Sequence, residues 1–240
     1  MPVKPRGSVK KLSFLDELDI KNRVVSVIHG TGLLSLAAYE YYFKPGSCGD
    51  ATTPYERFCI YFAVGYFLYD FFCMAYYNLL DWTMTIHHWI CIIGMTTTIV
   101  NETGSNFVVA GMFIAEASNP PMHVRIMLKH LGMRYTKAYE IFEIAFMVLY
   151  IYCRILLGLG LTWNTCLCQH NSFLTRLLAS ALMCQSVFFV KQMVSILKKR
   201  FHEISQRKAM KIKSRWFEPL TNEEISKLGW DTKKDKHVAL

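Results

Sequence analysis

Read from its start, the chain sorts its apolar residues into six blocks, near residues 24–43, 58–79, 86–101, 106–128, 138–161 and 172–197, separated by short polar stretches. A hydrocarbon layer about 30 Å thick is crossed by about 20 helical residues, and several blocks reach or approach that length. Backbone exposed to lipid must satisfy its own hydrogen bonds, and the short alternating segments of a barrel are absent. The pattern therefore predicts an all-α fold, a multi-pass transmembrane helical bundle of about six spanning helices. The third block is short, and Asn119-Pro120-Pro121 interrupts the fourth, so a pair of bent or re-entrant helices is the alternative there. Ahead of the first block, Ser13 followed by Asp16 gives a capping-box pattern and predicts a short surface helix. The expected organisation is a basic N-terminal segment (1–23), a transmembrane domain (24–197) and a basic C-terminal tail (198–240).

Charge adds an orientation. Six Lys and Arg fall in the first 23 residues, three in the loop 129–137 and twelve from Lys198 onward, against only Lys44 and Arg57 between the first two blocks. Six passes with both termini on the positive-inside face account for this asymmetry, and with it for the net charge of +9. Nucleic acid is not an expected partner. The tail mixes Phe201, Ile204, Trp216 and Phe217 with lysines and arginines, which suits the membrane surface, a solvated tail or a strap that docks protein partners. The opening "MPVKPRGSVKKL" reads as a positive-inside flank or, alternatively, as a transit peptide, and the closing "DTKKDKHVAL" matches no simple retention signal. An endoplasmic reticulum or other endomembrane location is expected, with the mitochondrial inner membrane as the alternative.

Polar residues inside apolar blocks are costly, so each is a functional candidate. In the second block Asp70 shares a helical face with Cys73, Met74 and Tyr77. Glu116, Asn119 and His123 form a stripe in the fourth. In the fifth, Glu140, Glu143, Tyr150 and Arg154 lie close to one line, which sets Arg154 on the face of two carboxylates. Asp70, Glu116 and Glu143 would then be offset by Arg154 and Arg125. Such stripes imply a polar or hydrated interior, or a network that pins the helices together.

The segment "DWTMTIHHWICIIG" places His87 and His88 at the start of the third block. Neighbouring helical residues point about 100° apart, so the two rings cannot share one target. Histidine suits a general base, a headgroup donor or a metal ligand, with anchoring and packing as the plain alternative. The other histidines are scattered singly, which speaks against a metal site. Five of the eight cysteines lie in the blocks. Cys48, Cys166 and Cys168 lie in loops on the outer face, where one disulfide or three free thiols would fit.

The runs "GYFLYDFFCMAYY" (65–77), "IHHW" (86–89) and "FIAEASNPPMHVR" (113–125), in that order, resemble the TLC domain, the lipid-handling membrane domain of ceramide synthases and related proteins. The resemblance covers about residues 20–200. It implies a TLC-type bundle, with His87 and His88 matching the histidine pair that ceramide synthases use in acyl-CoA-dependent N-acylation. Where two aspartates stand in that branch this chain has Glu116 and Asn119, and Cys91 replaces a threonine. The segment "AEASNPP" is instead similar to the TLC-domain-containing proteins outside the ceramide synthase branch, which are associated with membrane lipid composition. What the resemblance implies is a lipid-binding, lipid-handling membrane protein with membrane lipids as partners and no cofactor. One alternative is an N-acyltransferase with acyl-CoA as substrate and His87, His88, Asp70 and Glu116 as catalytic residues. Another is a lipid-clamping subunit of a larger complex. The candidate lipid-contacting residues are Arg154, Tyr77, Asn119, His123 and Arg125.

Overall fold

The computed structural model describes residues 12–230; the "MPVKPRGSVKKL" opening up to Lys11 and the "DTKKDKHVAL" end lie outside them. The elements, in chain order, are α1 (Phe14–Phe43), α2 (Pro54–Tyr76), α3 (Trp82–Asn101), α4 (Ser105–Glu116), α5 (Asn119–His130), α6 (Lys137–Leu149), a π-helical segment (Tyr150–Leu157), α7 (Gly158–Leu167), α8 (Phe173–Ala209) and α9 (Asn222–Lys227). Among the described residues the only β pairing is the isolated bridge Ala51–Thr103.

Local chemistry sets the boundaries. The Ser13–Asp16 capping box forms, with Ser13 Oγ accepting from Asp16 N at 3.1 Å. The helix it starts is not a separate surface piece, however. No proline or break follows, and α1 runs for 30 residues, about 45 Å at 1.5 Å per residue. Asp81 caps α3 by accepting from Met84 N at 2.8 Å, so the third span starts at Trp82 and is 20 residues long. His87 and His88 therefore sit more than a turn inside α3. The fourth span breaks as the proline pair predicts, with α5 restarting at Asn119.

Contacts at the two ends of the bundle define six passes. At one end Asp16 meets His130, Arg134 meets Glu203, and Trp230 packs at a tilt against Tyr135. At the other, Cys48 is bonded to Cys168, Thr52 N donates to Glu102 O, and Asn106 donates to Ser47 O. The first end collects the basic loop 129–137 and the α8 terminus, and both limits of the described chain lie there. The disulfide question resolves as Cys48–Cys168, leaving Cys166 free against Ser180.

By length and composition Pro54–Tyr76, Trp82–Asn101, Lys137–Leu167 and Phe173–Ala209 suffice to cross a membrane. α1 and the broken α4–α5 span complete the bundle as an antiparallel pair, linked by His130 to Asp19, His123 to Arg23 and Phe113 to Tyr41. Leu33, Ala37, Ile60, Ala63 and Val109 are fully buried where α1, α2 and α4 meet. Large apolar side chains such as Phe72, Trp89, Ile144 and Phe188 point outward. An exposed apolar surface of that extent suits lipid rather than water.

The first residues of the basic tail, 198–209, are helical and belong to the last long helix. α8 does not end near residue 197 but continues to Ala209, burying Arg200, Glu203 and Arg207 against the α5–α6 region. The reason is charge pairing: Arg207 bonds to Glu140, and Arg200 bridges Glu143 and Glu203 at 2.7 and 2.6 Å.

Candidate functional site

α1, α2 and α3 bring the first cluster together. Asp70 and His88 are both buried, with His88 Nε2 2.9 Å from Asp70 Oδ2, while Asn22 Nδ2 donates to Asp70 Oδ1 at 2.7 Å. His88 Nδ1 lies 2.8 Å from the Met84 carbonyl one turn earlier. A carbonyl only accepts, so Nδ1 carries a proton, and Nε2 then meets a carboxylate. One further proton must lie between Nε2 and Oδ2: the pair is either imidazolium with carboxylate or imidazole with carboxylic acid. In both states His88 has no ring nitrogen left for a substrate. Ser26 Oγ donates to Asn22 O, Tyr66 OH donates to Ser26 Oγ at 2.7 Å, and His29 stacks on Tyr66 with centroids 3.9 Å apart.

His87 goes elsewhere, as the helical geometry requires. Its ring stands at 88° to that of His88, and Nε2 lies 3.7 Å from Cys91 Sγ. Gln185 Nε2 donates to Thr83 O at 2.9 Å, and its buried Oε1 makes no hydrogen bond.

A second cluster forms at the α4–α5 break. Asn119 Nδ2 donates to Glu116 Oε2 at 2.9 Å, and Arg154 Nη2 donates to Asn119 Oδ1 and to Ala115 O, each at 3.0 Å. Arg154 Nε donates to Ser118 Oγ at 3.4 Å. The carboxylate of Glu116 lies against Gly30 of α1, where an added Cβ would come within 2.8 Å of Oε2. Arg154 owes its direction to the π-helical segment, which widens the turn and rotates later residues out of line with Glu140 and Glu143. The single face drawn through those four residues is thus corrected. Glu143 pairs with Arg125 at 3.2 Å and with Arg200, Glu140 pairs with Arg207, and Arg154 serves Asn119. Offset of Asp70 comes from His88 and Asn22 rather than from an arginine.

The remaining candidates spread out. His123 Nδ1 accepts from Arg23 Nη1 at 3.3 Å, on the seam between α1 and α5. Arg125 belongs to the ion-pair ladder at the basic end and is not brought to Asp70. Tyr77 caps α2 with its ring edge-on to Tyr76. At the foot of the seam His130 sits between Asp16 and Asp19, 3.0 and 2.7 Å away. Burial pushes the Asp19 carboxyl up, but the His130 hydrogen bond and the Arg23 charge outweigh it and hold the group below the usual carboxylate range. Asp16 is lowered likewise, burial being outweighed by Ser13 and His130.

Asn22, Ser26, His29 and Arg23 are missing from the residues that sequence reasoning singled out. A signal existed: Asp19, Asn22, Ser26 and His29 recur at steps of three and four, a polar stripe on α1 that is buried throughout. Gln185 and Arg200, set by tertiary contact alone, carried no such mark.

Two comparisons bear on this arrangement. No solved structure matches the chain. The family model described as the TLC domain matches residues 19–198, from the start of the α1 stripe to the membrane-spanning part of α8. That match takes in every pass of the bundle and both polar clusters, and the chain is an integral membrane protein that belongs to the TLC-domain family.

Proposed function

We propose that the chain holds a membrane lipid by its headgroup within the bundle and so influences membrane lipid composition, in the manner of the TLC-domain proteins outside the ceramide synthase branch. The observation that carries this reading is the commitment of His88. With Nδ1 on Met84 O and Nε2 on Asp70, the ring is a fixed polar element, not a base waiting for a proton. Arg154 supports it from the other cluster. Its Nε and Nη2 are occupied, and Nη1 makes no hydrogen bond among the described residues, which leaves a cationic donor for a phosphate or carbonyl of a lipid. An endomembrane such as the endoplasmic reticulum is the proposed location, and the lipids themselves are the proposed partners.

Profiling of lipids retained by the purified protein, with Arg154→Ala and His87→Ala beside the wild type, tests the reading. We expect a defined lipid class enriched on the wild type and depleted on Arg154→Ala. Bulk membrane composition on all three proteins would sink it. An N-acyltransferase assay in the same preparations, with a sphingoid base and a panel of acyl-CoA donors, tests the competing activity; amide product lost in His87→Ala would replace lipid holding with catalysis.

A further inference from the structure

We propose that the strap formed by residues 210–217 is a docking surface for anionic phospholipid headgroups of the leaflet at the basic end of the bundle, with Trp216 and Phe217 seated at the membrane–water boundary. The strap lies outside the stretch that the TLC-domain model matches and shares no residue with either polar cluster, so the proposal stands apart from lipid holding within the bundle.

Hydrogen bonds set the strap's position. α8 closes with Lys211 in the left-handed region (φ 56°), Lys211 N donating to Lys208 O and Ile212 N to Arg207 O, and this Schellman closure turns the chain back toward α6. There the strap serves as a cap. Lys137 N donates to Arg215 O at 2.9 Å and Ala138 N to Trp216 O at 3.3 Å, two first-turn amides that have no acceptor within their own helix. Ser214 Oγ accepts from the buried Arg207 Nη1 at 2.8 Å. A strap fastened this closely still presents two rings outward: Trp216 and Phe217 are 55% and 67% exposed. The Lys137 ammonium lies over the Trp216 ring, 5.5 Å from its centroid.

That contact fixes the depth of Trp216, because Lys137 heads a stripe down the outside of α6. Ile141, Ile144 and Val148 follow it at steps of four, three and four, and all are exposed. From Ile141 to Trp163, exposed at the other end, the apolar exterior measures about 33 Å at 1.5 Å per residue, which matches a hydrocarbon layer of about 30 Å. Lys137 stands one turn, about 5 Å, beyond that boundary, and so does the indole above it. This is the headgroup layer, where tryptophan concentrates.

Continuity with the lipid-facing stripe selects a bilayer over a protein as the occupant, and charge names its headgroups. Lys208, Lys211 and Lys213 are exposed and form no ion pair among the described residues, whereas Arg215 is already paired with Glu224 at 2.7 Å. Glu218 is the one exposed carboxylate beside them. A zwitterionic surface offers such a cluster no net charge; an anionic one attracts each lysine within a Debye length.

The experiment reconstitutes the full-length protein in nanodiscs of phosphatidylcholine, with or without phosphatidylserine, and reads Trp216 emission as the difference between wild type and Trp216→Phe. Quenchers are a lipid spin-labelled at its headgroup and aqueous acrylamide. With phosphatidylserine present we expect the Trp216 component to be quenched by the headgroup label and shielded from acrylamide. Lys211→Gln paired with Lys213→Gln, both at exposed positions, should lose the extra headgroup quenching that phosphatidylserine gives, and high salt should produce the same loss in wild type. A Trp216 component open to acrylamide and untouched by the lipid label would overturn the proposal. Shielding from both quenchers, the mark of a protein contact, would overturn it too. So would headgroup quenching that is equal in the two lipids or undiminished in the lysine variant.

Discussion

Replacing Asp70 by asparagine and by alanine should give two very different proteins, because the hydrogen bonds around it can be kept without its charge. In Asp70→Asn the amide oxygen still accepts from Asn22 Nδ2, now 2.7 Å from Oδ1, and the amide nitrogen donates to His88 Nε2, now 2.9 Å from Oδ2. His88 becomes a neutral imidazole with its proton on Nδ1, and the bond to Met84 O is undisturbed. What is lost is the difference between bonds to a charged group, about 1.5–3 kcal/mol, and neutral ones, about 0.5–1.5 kcal/mol, partly returned because no charge is buried. The expected cost is about 1 kcal/mol. Asp70→Ala removes both bonds and strands two polar atoms, each worth about 1–3 kcal/mol, so about 2–6 kcal/mol is lost. Thermal unfolding of detergent-purified protein, followed by intrinsic fluorescence, ranks the variants. Equal destabilisation by both, or tolerance of alanine, would refute the proton assignment.

Three further outcomes are expected. Acidification should loosen the α1–α5 seam at its basic end. Asp16 and Asp19 have lowered values in the folded protein, so their contribution is complete above the unfolded pKa of about 4 and lost as pH falls through the lowered values. Melting curves of Asp19→Asn should lose part of the wild type's dependence below that pH, and an unchanged slope would count against it. Gly30→Ala meets only the flexible end of Glu116, so stability should move by less than about 1 kcal/mol. The same change should swing the carboxylate off Asn119 and lower lipid retention; a large stability loss with retention intact would contradict this. Paired Cys48→Ser and Cys168→Ser changes should cost about 2–4 kcal/mol, and alkylation of the denatured wild type before and after reduction should count six and then eight thiols, against six in both cases for the double variant.

The chain's hydrophobic rhythm disclosed the all-α multi-pass bundle and the break at Asn119-Pro120, because both depend on composition over a helix length. Cap chemistry made the α1 start visible at Ser13, but Asp81 was passed over and α3 began four residues early. That Asp70 needs a buried partner is legible from its cost in a span, but charge arithmetic points to an arginine, and the partner is His88. One failure arises because sequence spacing assumes a constant turn. A π-helical segment at Tyr150–Leu157 breaks that assumption, so Arg154 left the face of Glu143. Tertiary contact hid the rest. Nothing local to "KKRFHEISQRK" shows that Arg200 and Arg207 have carboxylates waiting on α6.

The Cys48–Cys168 bond spans a sequence separation of 120 and joins the first loop of its end of the bundle to the last. Protein disulfides form in oxidising compartments. During synthesis the two thiols can meet only after the end of α7 has been delivered to Cys48's side, when just one pass remains to be threaded. The bond can therefore close only in a chain whose first and last loops of that end lie on one side of the bundle.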